Sequence, residues 1–156
     1  MYCATRRGDL RMVRFFGWRA STRRALGILI PAVALSVSAY WSLLLHWRAC
    51  AMCWSERLLL VAALLGWFAN NRWMVLFAPL LGFGIASAQW WMQLHAVRAL
   101  FCSVTTPCDV SYLHLGPLTT AGLADLVFFL LLLLGVDSFA HRPKRAEMIP
   151  FPRKAE

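Results

Sequence analysis

The segment Cys50-Ala-Met-Cys53-Trp-Ser-Glu56-Arg57 gathers reactive side chains at a spacing suited to redox chemistry. Two cysteines with two residues between them can close a small disulfide, and that disulfide can exchange with other thiols. In a helix, Cys50, Cys53 and Arg57 stand at i, i+3 and i+7, which puts all three on one face. A cation one turn beyond a cysteine stabilises its thiolate, and a helix N-terminus adds to the effect. The plainer alternative is an inert disulfide capping two membrane segments, because a C-x-x-C alone is only a redox candidate.

A second pair lies further on, in Cys102-Ser-Val-Thr-Thr-Pro-Cys108. This stretch reads as loop rather than helix. Six residues of separation close easily into a disulfide, and Pro107 limits the loop's conformations. So short a ring adds less stability than a long one, while its sulfurs stay open to attack. A structural staple is again the alternative. Two exchangeable pairs on one side of a membrane could instead pass a disulfide between them as a relay. Cys3 reads as incidental.

The elements that must position these residues are apolar helices. The chain has 156 residues, enough for one domain, and is 60% hydrophobic with only 15% charged residues. That is too apolar for a soluble fold of this size. The apolar residues fall in long runs, so the expected fold is an all-α membrane protein, a four-transmembrane-helix antiparallel bundle. A basic arm covers residues 1–25 and a basic tail residues 138–156, with the four-helix unit between them at 26–137. The first span is expected at about Leu26 to Leu45, with Pro31 in its first turns, where proline costs least. Trp41 and Trp47 suit the aromatic belt at its far end.

The second span tells more. Its uninterrupted apolar part, Leu58 to Ala69, reaches only about 18 Å as a helix, too short for a bilayer. Extending it back to about Cys50 gives roughly 30 Å and brings Glu56 and Arg57 to the edge of the hydrocarbon. Ionisable groups at that depth are functional candidates by default; the alternative is that both snorkel to the headgroups. Asn70-Asn71-Arg72 reads as a tight turn into a third span, about Trp73 to Trp91. Pro79 is expected to kink that span, and Gly82, Gly84, Ala86 and Ser87 offer close-packing positions. Gln89, Gln93 and His95 mark its exit. The fourth span is expected at about Leu118 to Val136 and carries Asp125, for which a structural role across helices is favoured, with Gln89 as one possible partner. The outer loops are then 46–53 and 94–117.

Charge sets the expected orientation. Of the 16 Lys and Arg residues, seven precede residue 25, Arg72 sits in the turn and five follow His141. The opposite side has only Arg48, Arg57 and Arg98. The positive-inside rule places both termini in the cytoplasm and the two cysteine pairs outside, where disulfides persist. The same distribution argues against a nucleic-acid partner, although the net charge is +9. No cleavable signal peptide or twin-arginine signal is expected, and Met12 is an alternative start. A relay on the outer side needs a terminal acceptor. An exported thioredoxin-fold oxidant can be poised near about −120 mV, and a membrane protein that regenerates one has lipid-soluble quinone within reach.

Over about residues 26–137 the chain resembles the DsbB/BdbC family of disulfide bond formation proteins. The resemblance rests on Cys50-x-x-Cys53-x-x-Glu56-Arg57 at the start of the second span and a later cysteine pair between spans three and four. Pro107-Cys108, Tyr112 and the helix start at Gly116-Pro117 look closest to the short-loop, BdbC-like branch; only five residues separate Cys102 from Cys108. The resemblance implies a bacterial inner-membrane oxidoreductase that reoxidises a DsbA-like thioredoxin-fold partner and passes the electrons to ubiquinone or menaquinone. It implies disulfides Cys50–Cys53 and Cys102–Cys108, a mixed disulfide of the partner with Cys102, and attack of the freed Cys108 on Cys50. Cys53 then carries the thiolate that reduces the quinone. Arg57 is implied as the quinone-proximal cation, with Glu56 and His95 as further cofactor-binding candidates.

Two other classes compete. Four thiols could hold zinc in a tetrahedral site, but the wide spacing of the second pair is loose for a metal, and no ladder of carboxylates or histidines crosses the span. The cysteines could also merely staple two outer loops. The vitamin K epoxide reductase family couples a C-x-x-C to a quinone as well, but there the loop cysteines come first.

Overall fold

The computed structural model describes residues 19–46, 49–95, 114–115 and 118–140. Four helices dominate: α1 (Ala20–Leu43), α2 (Ala51–Phe68), α3 (Arg72–His95) and α4 (Thr120–Ala140). All four are long and apolar enough to cross a membrane. Each packs on its neighbours in sequence, and α4 closes the ring against α1. The arrangement is an antiparallel four-helix bundle.

The boundaries follow from local chemistry. Between α2 and α3 the turn uses two asparagines. Asn70 takes φ 54°, a left-handed conformation that asparagine tolerates better than most residues. The Asn71 N–H then bonds back to the Gly66 carbonyl at 2.9 Å, the closing bond of a Schellman C-terminus. The Asn71 side chain caps α3 by accepting from the N–H groups of Trp73 and Met74. At the other end of the bundle, a short antiparallel pair, β1 (His114–Leu115) and β2 (Leu118–Thr119), leads into α4. Thr119 Oγ1 accepts the Gly122 N–H at 3.3 Å and caps that helix.

Helix α1 begins at Ala20 rather than near Leu26, so Pro31 is interior to the helix and buried instead of in its first turns. Two arginines hold the added turns. Arg23 Nη1 bonds Asp137 Oδ2 at 2.8 Å, and Arg24 Nη2 bonds the Phe68 carbonyl at 3.1 Å. Helix α3 continues to His95, so Gln89, Gln93 and His95 are helical residues rather than exit markers. The core forms where Leu60, Ala63, Ala78, Ala86, Phe128 and Leu131 meet. Gly82 lets α4 approach, since a Cβ there would lie 2.2 Å from the Phe128 ring. Gly84, also expected to pack closely, faces open space.

Candidate functional site

Cys50 is the N-cap of α2, with extended backbone (φ −76°, ψ 172°), and its sulfur accepts the Cys53 N–H at 3.3 Å. The C-x-x-C spacing produces this directly: the residue three after an N-cap presents its N–H to the cap side chain. The two sulfurs therefore converge to 2.7 Å, within reach of a bond between them. Cys50 is only 3% exposed and packs with Met52 of α2 and Met92 of α3. Both thiols of this pair sit at the end of α2 where unsatisfied N–H groups favour negative charge.

A cavity of about 510 Å³ opens beside the pair. Cys50, Cys53, Glu56, Arg57, Gln89 and Gln93 form its polar end, and aliphatic residues of α1 and α4, among them Leu29, Val33 and Val127, line the rest. The face predicted for Cys50, Cys53 and Arg57 is thus a wall of one cavity. Arg57 crosses it toward α1: Nε donates to Ser38 Oγ at 2.8 Å, and Nη2 donates to the Ser38 carbonyl and to Ser42 Oγ. Its guanidinium also stands 5.4 Å from the Trp54 ring centroid.

Glu56 does the opposite. It is 7% exposed, lines the same cavity, and its Oε1 has no hydrogen-bond partner among the described residues. Asp125 does not meet Gln89. Its Oδ1 accepts from Ser87 Oγ, because Ser87 faces α4 while Gln89 turns toward α2. His95 is not brought to the cavity; it is exposed, its ring stacks on Trp91 at 3.8 Å, and its Nδ1 is 3.0 Å from the Trp91 carbonyl. Trp41 lines the cavity. Trp47, Cys102 and Cys108 lie outside the described residues, as does Cys3.

Gln89, which the sequence suggested as an exit residue or a partner for Asp125, instead belongs to the cysteine site. It is 2% exposed, and its Nε2 lies 3.5 Å from Cys53 Sγ and 3.7 Å from Cys50 Sγ. A signal existed: Gly82, Ala86, Gln89 and Gln93 recur at helical spacing, so a polar residue interrupts the small-residue stripe that faces the bundle. Sequence reasoning missed Ser38 and Ser42, one turn apart on α1.

A C-x-x-C pair at a helix N-terminus, with Cys50 buried and Cys53 half-buried, opens on an apolar cavity between membrane-spanning helices and defines a class: a multi-pass membrane thiol oxidoreductase. The family model for disulfide bond formation protein DsbB matches residues 21–136, and the chain belongs to that family. Disulfide bond formation by a membrane oxidoreductase is therefore its activity. No curated relative and no solved structure matches the chain.

Proposed function

We propose that this protein reoxidises a DsbA-like thioredoxin-fold dithiol on the outer face of a bacterial inner membrane and delivers the electrons to membrane quinone. The observation that carries the reading is the common cavity. The Cys50 and Cys53 sulfurs, Arg57 and Glu56, whose Oε1 has no partner among the described residues, meet at one end of an apolar space large enough for a ring-sized ligand. A quinone, when bound there, supplies a bilayer-soluble acceptor for two electrons and two protons. The residues present fit such a group: aliphatic side chains suit the ring and tail, while Arg57 offers donors and Glu56 an unused polar atom.

The chain's own chemistry then runs by exchange. The partner's thiolate attacks Cys102 of a Cys102–Cys108 disulfide, giving a mixed disulfide and a free Cys108 thiolate; the partner's second thiolate resolves it, leaving the partner oxidised and Cys102 and Cys108 reduced. Cys108 attacks Cys50 of the Cys50–Cys53 disulfide, releasing Cys53, and Cys102 completes the transfer. The Cys50–Cys53 dithiol reforms its disulfide by giving up two electrons and two protons. Support for the relay comes from the anchors of the intervening segment. Gln93, near the end of α3, and Thr120, the first residue of α4, both line the cavity with Cys50.

The test is purified protein in lipid with a reduced thioredoxin-fold oxidase, with and without a short-tail ubiquinone or menaquinone analogue. Quinone-dependent loss of partner thiols is expected. Partner thiols that stay reduced with either quinone overturn the reading.

A further inference from the structure

The two sulfurs of the C-x-x-C pair are not equivalent. Cys50 has a backbone donor, the Cys53 N–H, and occupies the N-cap itself. Among the described residues, the only side-chain N–H group within bonding distance of Cys53 Sγ is Gln89 Nε2. Arg57 Nε and Nη2 donate to Ser38 and Ser42 rather than to either sulfur. A charge placed on either sulfur needs donors in so dry a site. Without the amide, Cys53 would lose its side-chain N–H donor while Cys50 kept the backbone N–H at the N-cap.

We propose that Gln89 is a positioning residue that allows Cys53, rather than Cys50 alone, to carry the thiolate of the reduced pair. The inference rests on the reading that this pair cycles between dithiol and disulfide. Three features favour an electronic role over packing. The side chain is polar yet buried; its Nε2 reaches both sulfurs; and its Oε1 has no partner among the described residues. Replacing Gln89 with methionine, similar in length and shape, therefore removes the N–H···S contacts and forfeits no other hydrogen bond among the described residues.

The experiment measures alkylation by iodoacetamide at neutral pH in single-cysteine backgrounds of the intact chain. In Cys50→Ala, adding Gln89→Met should slow alkylation of Cys53 about tenfold, the scale of a hydrogen bond to a charged group. In Cys53→Ala, the same change should slow Cys50 by no more than about threefold, since the backbone N–H remains. With both cysteines present, the pair's equilibrium with glutathione should shift about tenfold toward the disulfide, or about 30 mV more negative for this two-electron couple. Gln89→Glu should slow Cys53 further by setting a carboxyl oxygen against the sulfur.

Equal effects at the two cysteines, or rates and potential unchanged while melting temperature falls, would overturn the proposal and leave Gln89 a packing residue. If neither variant folds, nitrogen-labelled glutamine in the wild type decides. One side-chain amide resonance should move on reduction, and a set of unmoved resonances would overturn the assignment. A pair that never equilibrates with glutathione would overturn the redox reading instead, while the alkylation rates still decide the role of Gln89.

Discussion

Glu56 and Arg57 are neighbours in sequence but meet opposite fates in the bundle. Arg57 reaches over the cavity and fastens to two serines of α1, whereas the buried Glu56 Oε1 bonds to nothing among the described residues. A buried polar atom without a partner costs roughly 1–3 kcal/mol, so Glu56→Leu should leave the melting temperature unchanged or raise it. Quinone reduction by the same variant should fall at least about tenfold if the side chain serves the ligand. A destabilised but fully active Glu56→Leu protein would show the reverse assignment. Arg57→Met should raise the KM for a quinone analogue about tenfold or more while thiol exchange with the partner continues; unchanged quinone dependence would remove Arg57 from the acceptor site. Arg57→Lys should behave more like Arg57→Met than like the wild type, because an ammonium cannot engage Ser38 and Ser42 with a fixed fork. Much of this site was legible in the primary structure. The i, i+3, i+7 spacing translates into one helical face whatever surrounds it, so Cys50, Cys53 and Arg57 could be grouped from the sequence. Gln89 could not be assigned its partners, because whether a buried amide meets a carboxylate or a sulfur depends on the rotation of α3 against α2 and α4.

At the level of helices, the existence of four spans and the turn at Asn70-Asn71 followed from hydropathy and turn chemistry, but the ends of α1 and α3 did not. Hydropathy discounts arginines and so places the start of α1 after them. In the bundle Arg23 extends the helix by pairing with Asp137, whose carboxylate is mostly buried on α4. This pair ties α1 to α4 at the end away from the cysteines, while nearer the cysteines the cavity runs between the same two helices. Removing either partner leaves a charge poorly solvated, and Arg23→Ala or Asp137→Ala should each cost about 1–3 kcal/mol after allowance for partial exposure. The double variant should cost less than the sum of the two, as measured by unfolding in mild detergent; strict additivity would show that the pair contributes nothing. The α3–α4 contact is tested by Gly82→Ala. Its new Cβ would meet the fully buried Phe128 ring, so destabilisation of about 1–3 kcal/mol is expected. Gly84→Ala, facing open space, should be neutral or slightly stabilising.

For the molecule as a whole, antiparallel packing turns a charge pattern into an expected orientation. The N-terminus of α2, with Cys50 at its cap, lies at the same end as the C-terminus of α3 and the start of α4, since Met92 packs on Cys50 and Thr120 shares its cavity. The end of α3 and the start of α4, between which Cys102 and Cys108 fall in the sequence, therefore lie beside the first pair. The opposite end carries the Asn70-Asn71-Arg72 turn and the arginines that begin α1, adjoining the basic arm and tail. Positively charged flanks are retained on the cytoplasmic side during insertion, so both pairs should face the oxidising compartment. A fluorescent protein fused after Glu156 should then fluoresce, and alkaline phosphatase fused there should be inactive. A membrane-impermeant maleimide added to intact, reduced cells should label Cys102 and Cys108 before the buried Cys50. An active phosphatase at the C-terminus would invert the bundle and place the relay where disulfides do not persist. An exported partner could then not be its substrate, whatever the geometry of the cavity.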